Sequence, residues 1–280
     1  MEKVAGNLAC LRHILNYNLA YNLLFFRITS DLVLFASHPV CRYDRASHFA
    51  DEFSAIGRWV INHGMRISMH PDQFTLLNSP DEKVVDNSLR ELIYHAQVLD
   101  LMGVAATHKI QIHVGGVYGD KPAAMQRFVT RYRALDEAIR RRLVIENDDS
   151  SYTVEDCLSL HDTLGVPVVL DTFHHILHPG GMKEAAWDTM MAAVWPSWTA
   201  GHGIPMVDYS AQQPDARRGR HADSVNDDDL RHLLEESQPH DFDLMLEIKN
   251  KEASALRAIQ VARGDPRLVP AIGPDSESGP

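Results

Sequence analysis

Six apolar runs of this chain end on, or just before, a side chain able to bind a metal: His70 in SMHP, His113 in QIHVGG, Glu146 in LVIEND, Asp171 with His174 and His175 in LDTFHH, Asp208 in MVDYS and Glu247 in LEIKN. His221, in GRHAD, falls between the last two. Taken singly, each is commonplace. A histidine after an apolar run is usually a satisfied polar residue, and an acid there is usually a helix N-cap, the ordinary reading of Asp148 and Asp149. Taken together, they are not. Carboxylates brought into one place do not stay ionised unless cations lie between them. Mixed imidazole and carboxylate donors suit Mn²⁺, Zn²⁺ or Fe²⁺ better than the all-oxygen sites of Mg²⁺ or Ca²⁺. Glu146 is therefore expected to bridge two metals.

The elements that would gather these residues can be read from the same apolar runs. Strand-like segments occur at 23–29, 66–70, 109–115, 142–147, 167–172, 204–210 and 243–250, continuous rather than alternating, as strands buried on both faces are. Helix-like segments lie at 7–20, 45–63, 83–103, 120–140, 152–164, 182–198, 226–237 and 251–263, with start signals at Asp81, Thr153 and Asn226. Alternating strands and helices imply parallel βα units, hence a doubly wound sheet or a (β/α)₈ barrel. No GxGxxG or GxxxxGK[ST] follows an early strand, which favours the α/β class in its TIM-barrel form. In that fold all the strand ends named above meet at one mouth. The first recognisable element is a helix, so the barrel is expected to lack its first strand. Residues 1–265 read as one barrel domain and 266–280 as a disordered tail.

Composition is that of a soluble globular protein: 280 residues, 45% hydrophobic and 23% charged. There is no apolar run of membrane length and no signal-peptide plan at the N-terminus, so a cytoplasmic monomer with no membrane partner is expected. Cys10, Cys41 and Cys157 have neither CxxC nor zinc-finger spacing and read as reduced thiols. A net charge of −11 argues against nucleic acid at first sight. Divalent cations in a cleft would reverse that field locally. Arg217, Arg218 and Arg220, in PDARRGRHAD beside His221, form either an ordinary surface loop or a phosphate clamp. RYRALDEAIRRR reads as a solvated helix face, and Met190 to Val194 as helix core.

In order along the chain, SMHPDQFTLLNSP, IQIHVGGVYGDK, LVIENDDSSYT, VVLDTFHH, DYSAQ, RHADSV and DLMLEIKNKEASAL resemble the UV-damage endonucleases, relatives of the endonuclease IV superfamily of metal-dependent barrel nucleases. The likeness covers roughly residues 7–263. It implies a barrel with two or three divalent ions, typically Mn²⁺ with Mg²⁺, Co²⁺ or Zn²⁺ as alternatives, that cuts UV-damaged double-stranded DNA immediately 5′ to the photoproduct and leaves a 3′-hydroxyl. Carried over by motif, the implied ligands are His70, His113, Glu146, Asp171, His174, His221 and Glu247. Gln73 matches a residue that probes the lesion by insertion, with Phe74 beside it to stack. Lys249 matches a lysine near the cluster and joins Glu146 as a catalytic candidate.

Some relatives carry Lys-x-His in the sixth strand, where a carboxylated lysine ligates metal. Met206 and Asp208 stand here; Met206 cannot do this, while Asp208 still offers a carboxylate as a ligand, so the third metal site is altered. The alternatives are an abasic-site endonuclease, a metal-dependent sugar isomerase on the same barrel, and a barrel that binds damaged DNA without cutting it.

Overall fold

In a computed structural model, residues 2–38, 40–41 and 45–270 are described. The chain runs α1 (Glu2–Ala20), β1 (Phe25–Ile28), α2 (Arg45–Asn62), β2 (Arg66–Met69), α3 (Glu82–Leu101), β3 (Ile110–His113), α4 (Lys121–Ala134), α5 (Glu137–Arg140) and β4 (Leu143–Glu146). It continues through α6 (Val154–Leu164), β5 (Val168–Asp171), α7 (Thr172–Leu177), α8 (Trp187–Val194), β6 (Met206–Tyr209), α9 (Asp227–Glu236), β7 (Asp243–Leu246) and α10 (Glu252–Val261). The caps follow the sequence signals: Asp81 accepts from the Lys83 amide, Thr153 forms a capping box with Asp156, and Asn226 accepts from the Asp228 and Asp229 amides. The helix expected over 182–198 is regular only at α8, since Gly180 and Gly181 precede it and Pro196 lies in a 3₁₀ turn after it. The 120–140 helix divides into α4 and α5.

The seven strands are all parallel and pair in chain order, forming a nearly closed barrel with the helices around it. Strand side chains alternate between two faces. Ile110, Ile112, Leu143, Ile145, Val168, Leu170 and Val207 join the large core that also contains helix side chains. Val144, Val169 and Met206 make a separate inner cluster with Trp198, against which Phe25 packs. Met206 is thus part of the apolar barrel floor, and its sulfur-bearing chain is fully buried there. Two residues further along β4, β5 and β6, the inner position changes from Val144, Val169 and Met206 to Glu146, Asp171 and Asp208. This places the reactive layer directly above the floor.

Every residue of β4, β5 and β6 is buried, as strands covered on both faces should be, whereas β7 is only half-buried throughout. The reason is the incomplete closure: a cleft of about 1810 Å³ lies along β1 and β7, lined by Phe26, Ile28, Leu244 and Leu246 among others. The place of an eighth strand is between these two edges. Much of the expected tail, 271–280, lies outside the described residues. Before it, Arg267 is tied down by Asp265, Ser237 and the carbonyls of His240 and Leu234. No helix among the described residues is long and apolar enough to cross a membrane.

Below the floor, Lys109 is fully buried, and its Nζ donates to the Arg141 carbonyl at 2.9 Å. Burial, with Arg66 and Arg142 nearby, pushes its ammonium down to about 7. The unfolded chain therefore holds the proton that the folded one has lost between about pH 7 and 10.5, and stability rises with pH over that window. The slope contributed by this one group is at most about 1.4 kcal/mol per pH unit. Denaturant unfolding at pH 7 and pH 9.5 should show the rise, and Lys109→Met should flatten it; an unchanged slope in the variant would place the buried charge elsewhere.

Candidate metal centre

Each expected ligand comes from the C-terminal end of its strand or the loop beyond it. β2 delivers His70, whose Nδ1 is 2.8 Å from the Pro71 carbonyl and whose Nε2 is 2.8 Å from Glu146 Oε1. β3 ends on His113, whose Nε2 lies 3.0 Å from the same oxygen. Its Nδ1 is buried with no hydrogen-bond partner among the described residues. β4 ends on Glu146, fully buried, with Oε2 taking a hydrogen bond from Gln111 Nε2. β5 ends on Asp171, which accepts from the His174 amide at 2.7 Å and so caps α7. That short helix turns the His174 ring back to the rim, with Nδ1 3.2 Å from Asp171 Oδ2.

Among the described residues three groups of possible ligands result, each with its donor atoms within 4.8 Å of one another: His70, His113 and Glu146; Glu146, Asp171 and His174; Asp171, Asp208 and Glu247. The groups interlock, because Glu146 belongs to the first two and Asp171 to the last two. His221 lies just outside them, its ring 6.1 Å from that of His174 and its Nδ1 held by the Glu247 carbonyl at 2.9 Å. A ring nitrogen fixed on a carbonyl leaves the other for a ligand, and His70 is prepared in the same way.

The electrostatics are those of a site short of positive charge. Burial opposes ionisation of Glu146, but His113 and His70 facing it hold its carboxyl well below the usual range. For Asp171 burial and three neighbouring acids, Glu247, Asp208 and Glu146, act together and push its carboxyl well above that range. Asp208 is pushed up to about 6 by burial, against the pull of Arg27. One Glu146 oxygen touching two imidazole nitrogens, and four carboxylates in one interior, form a donor set that fits divalent ions.

The remaining expected residues occupy the surroundings. Gln73 and Phe74 sit on the loop after β2, both exposed, Phe74 at 73%. The loop itself is anchored: Ser88 Oγ accepts from the Leu76 amide at 2.8 Å, and Thr75 bonds back to Asp72 at 2.9 Å. Lys249 is exposed, two residues past Glu247 on the wall of the open cleft and outside the three groups. Arg217, Arg218 and Arg220 are exposed on a loop pinned by backbone bonds between Gln213 and Arg220 and between Ala222 and Ala211. Arg218 reaches the Leu177 carbonyl at the end of α7, and Arg220 pairs with Asp223 at 3.2 Å. Asp148 is not a helix N-cap, since Thr153 caps α6; it accepts from the Ser150, Ser151 and Tyr152 amides and shapes the turn after β4. Asn147 links neighbouring strands through the Asp171 amide and carbonyl. His175 points away from the rim and packs edge-on to Trp187.

Two members of the inner layer have no counterpart among the sequence candidates. Arg27 of β1 donates to Asp208 and Glu247, and Gln111 of β3 to Glu146 and Asp208. The signal was a polar side chain inside an otherwise apolar run, FFRIT and KIQIH.

Comparison with known proteins follows the same lines. The UV-endonuclease UvdE family profile matches residues 2–266. The UV DNA damage endonuclease of Clostridium perfringens (strain 13 / Type A) is 34% identical over 254 residues, which are 90% of this chain and 61% of that relative. The crystal structure of SacUVDE superposes with a TM-score of 0.87 at 40% identity, covering 93% of this chain and 86% of the other. Endonuclease IV from Thermus thermophilus shares the fold, with a TM-score of 0.61, 17% identity and 93% coverage of each chain.

Proposed function

The chain belongs to the UV-endonuclease UvdE family, and from that premise we propose that it is a divalent-metal-dependent DNA repair endonuclease that hydrolyses the backbone immediately 5′ to a UV photoproduct, leaving a 3′-hydroxyl. The observation that carries the proposal is the set of three interlocking donor groups at the barrel mouth. His70, His113, Glu146, Asp171, His174, His221 and Glu247 would hold the metals, with Mn²⁺ the expected ion. Bound there, the ions would activate water, neutralise phosphate charge and stabilise the leaving 3′-oxygen.

The chain's own residues have definable tasks. Glu146 presents one oxygen to His70 and His113 and the other to Gln111, so its carboxylate plane is fixed before substrate arrives. His70 and His221 use carbonyl bonds at Nδ1 to hold their rings in orientation. The arginine loop, with Arg217, Arg218 and Arg220 all exposed, supplies positive charge for flanking phosphates, and the exposed Lys249 adds to it from the cleft wall. On an anchored loop, the exposed Phe74 and Gln73 can enter a duplex whose dimerised bases are already poorly stacked and cost less to displace.

Gln73→Ala is expected to reduce the preference for damaged over undamaged duplex about tenfold while metal content stays unchanged, a side-chain amide bonded to a base edge being worth about 1–3 kcal/mol. Competition binding with matched duplexes reads the preference, and emission spectrometry the metal; a fall in metal with binding preference intact would remove Gln73 from the lesion-probing role. The overall reading is tested by incision of an end-labelled duplex carrying one pyrimidine dimer, with Mn²⁺ or with EDTA, beside abasic and undamaged duplexes. A Mn²⁺-dependent cut directly 5′ to the dimer is expected. Cutting confined to the abasic duplex would overturn the photoproduct assignment, and equal cutting in EDTA would overturn the metal dependence.

A further inference from the structure

The third donor group differs from the other two. Asp171, Asp208 and Glu247 include no imidazole, and a guanidinium already lies among their oxygens. Arg27 Nη2 is 2.8 Å from both Asp208 oxygens, and Nη1 is 2.5 Å from Glu247 Oε1. Gln111 Nε2 adds a bond to Asp208 Oδ2 at 2.6 Å, and Gln111 Oε1 accepts from Arg27 Nη2 at 2.9 Å. The Asp208 side chain is completely buried, so its oxygens are withdrawn from bulk solvent. Resting on the metal-dependent reading above, we propose that Arg27 is a resident cation that takes the place of a third metal, so that the rim holds two divalent ions and Asp208 serves the guanidinium rather than a metal.

Donor availability, charge and position each favour the guanidinium over a third metal. The first is donor availability. The two Asp208 oxygens receive three of these hydrogen bonds, two from Arg27 Nη2 and one from Gln111 Nε2, and a metal would have to displace a planar, delocalised cation that also bonds Glu247 through Nη1. The second is charge. Glu146, Asp171, Asp208 and Glu247 bring four negative charges when ionised. Two divalent ions and Arg27 leave the set with one net positive charge, suited to an anionic phosphodiester; a third ion would leave three positive charges in a largely buried interior. The third is position. Arg27 comes from β1 and its partners from β6 and β7, so the guanidinium spans the unclosed side of the barrel and orders Glu247 across it. In this role Arg27 positions ligands and does not touch the reacting atoms.

Metal content measured after equilibrium dialysis against Mn²⁺ tests the proposal without reference to cutting. The wild-type chain is expected to hold two Mn²⁺, and Asp208→Asn still two, with affinity changed less than tenfold. Arg27→Met leaves the three acids without their cation and is expected to take up a third Mn²⁺. Three ions in the wild type, or loss of an ion in Asp208→Asn, would overturn the proposal while leaving metal dependence standing. Two ions in a folded Arg27→Met would also overturn it; should that variant not fold, the Asp208→Asn result and the wild-type count decide alone. Binding of no metal by the wild type would instead overturn the metal-dependent reading, and this inference with it.

Discussion

Glu146→Gln should lower incision beside a pyrimidine dimer by more than about 100-fold, the upper end of what loss of a mere outer-shell partner costs a metal site. The effect is large because this one side chain serves two donor groups. The amide is nearly isosteric with the carboxylate but lacks its charge, and it has one acceptor oxygen where Glu146 has two. If its NH₂ faces Gln111, two donors meet, and Gln111 can relieve the conflict only by giving up its bond to Asp208. If its NH₂ faces His70 and His113, the nitrogens that should face a metal become acceptors for it. Both orientations spoil the centre. The fold should survive, because removing one of four crowded acids relieves repulsion on Asp171. Single-turnover cutting of a labelled dimer duplex, with circular dichroism and metal content on the same sample, checks the three expectations together. Full activity would rule out the bridging role expected of Glu146.

What the sequence discloses about this centre follows from where the information resides. A βα alternation is local, so the strands and most helices can be read directly, and the barrel then follows from the rule that strand ends share one mouth. His70, His113, Glu146 and Asp171 are legible for that reason. Arg27 and Gln111 are not, since β1 and β3 read as near-continuous apolar runs with no alternation to mark which side chains point inward. Their direction depends on register across the whole barrel. His174 and His175 present the opposite case: two adjacent histidines are equivalent on paper, and only the cap of α7 on Asp171 decides that one ring reaches the rim and the other packs on Trp187.

The reach of fold alone is equally limited. A barrel carrying histidines and acids at its strand ends is also the expectation for a sugar isomerase, and likeness of fold at 17% identity cannot separate such chemistries. The family match does, because it extends through the segments between the donors. Phe74 carries the same distinction physically: a large ring exposed at 73% on an anchored loop has little use in a closed pocket for a small sugar.

Saturating Mn²⁺ should raise the melting temperature by roughly 10 °C near neutral pH, and by much less at pH 5. A ligand that binds only the folded state at about a thousand times its dissociation constant adds about 4 kcal/mol, and each kcal/mol moves the transition of a chain this size by about 2–4 °C. The pH dependence comes from the centre itself. Burial, with Glu247, Asp208 and Glu146 around it, raises the Asp171 carboxyl, so the metal-free fold keeps a proton there that the unfolded chain has released. Stability of the metal-free protein therefore falls as pH rises through that range, since an acid with a raised folded value favours folding only while protonated. His70 acts in the same direction as a competitor: burial lowers its affinity for a proton, but Glu146 outweighs that and raises it, so a proton must leave before a metal can bind. Metal thus relieves the repulsion that grows with pH, and protons displace metal as pH falls. Thermal unfolding with Mn²⁺ and with EDTA at pH 5 and 7 measures both effects. A Mn²⁺ shift equal at the two pH values would mean that the ion binds outside this cluster, and Glu146→Gln should shrink the neutral-pH shift if it binds within it.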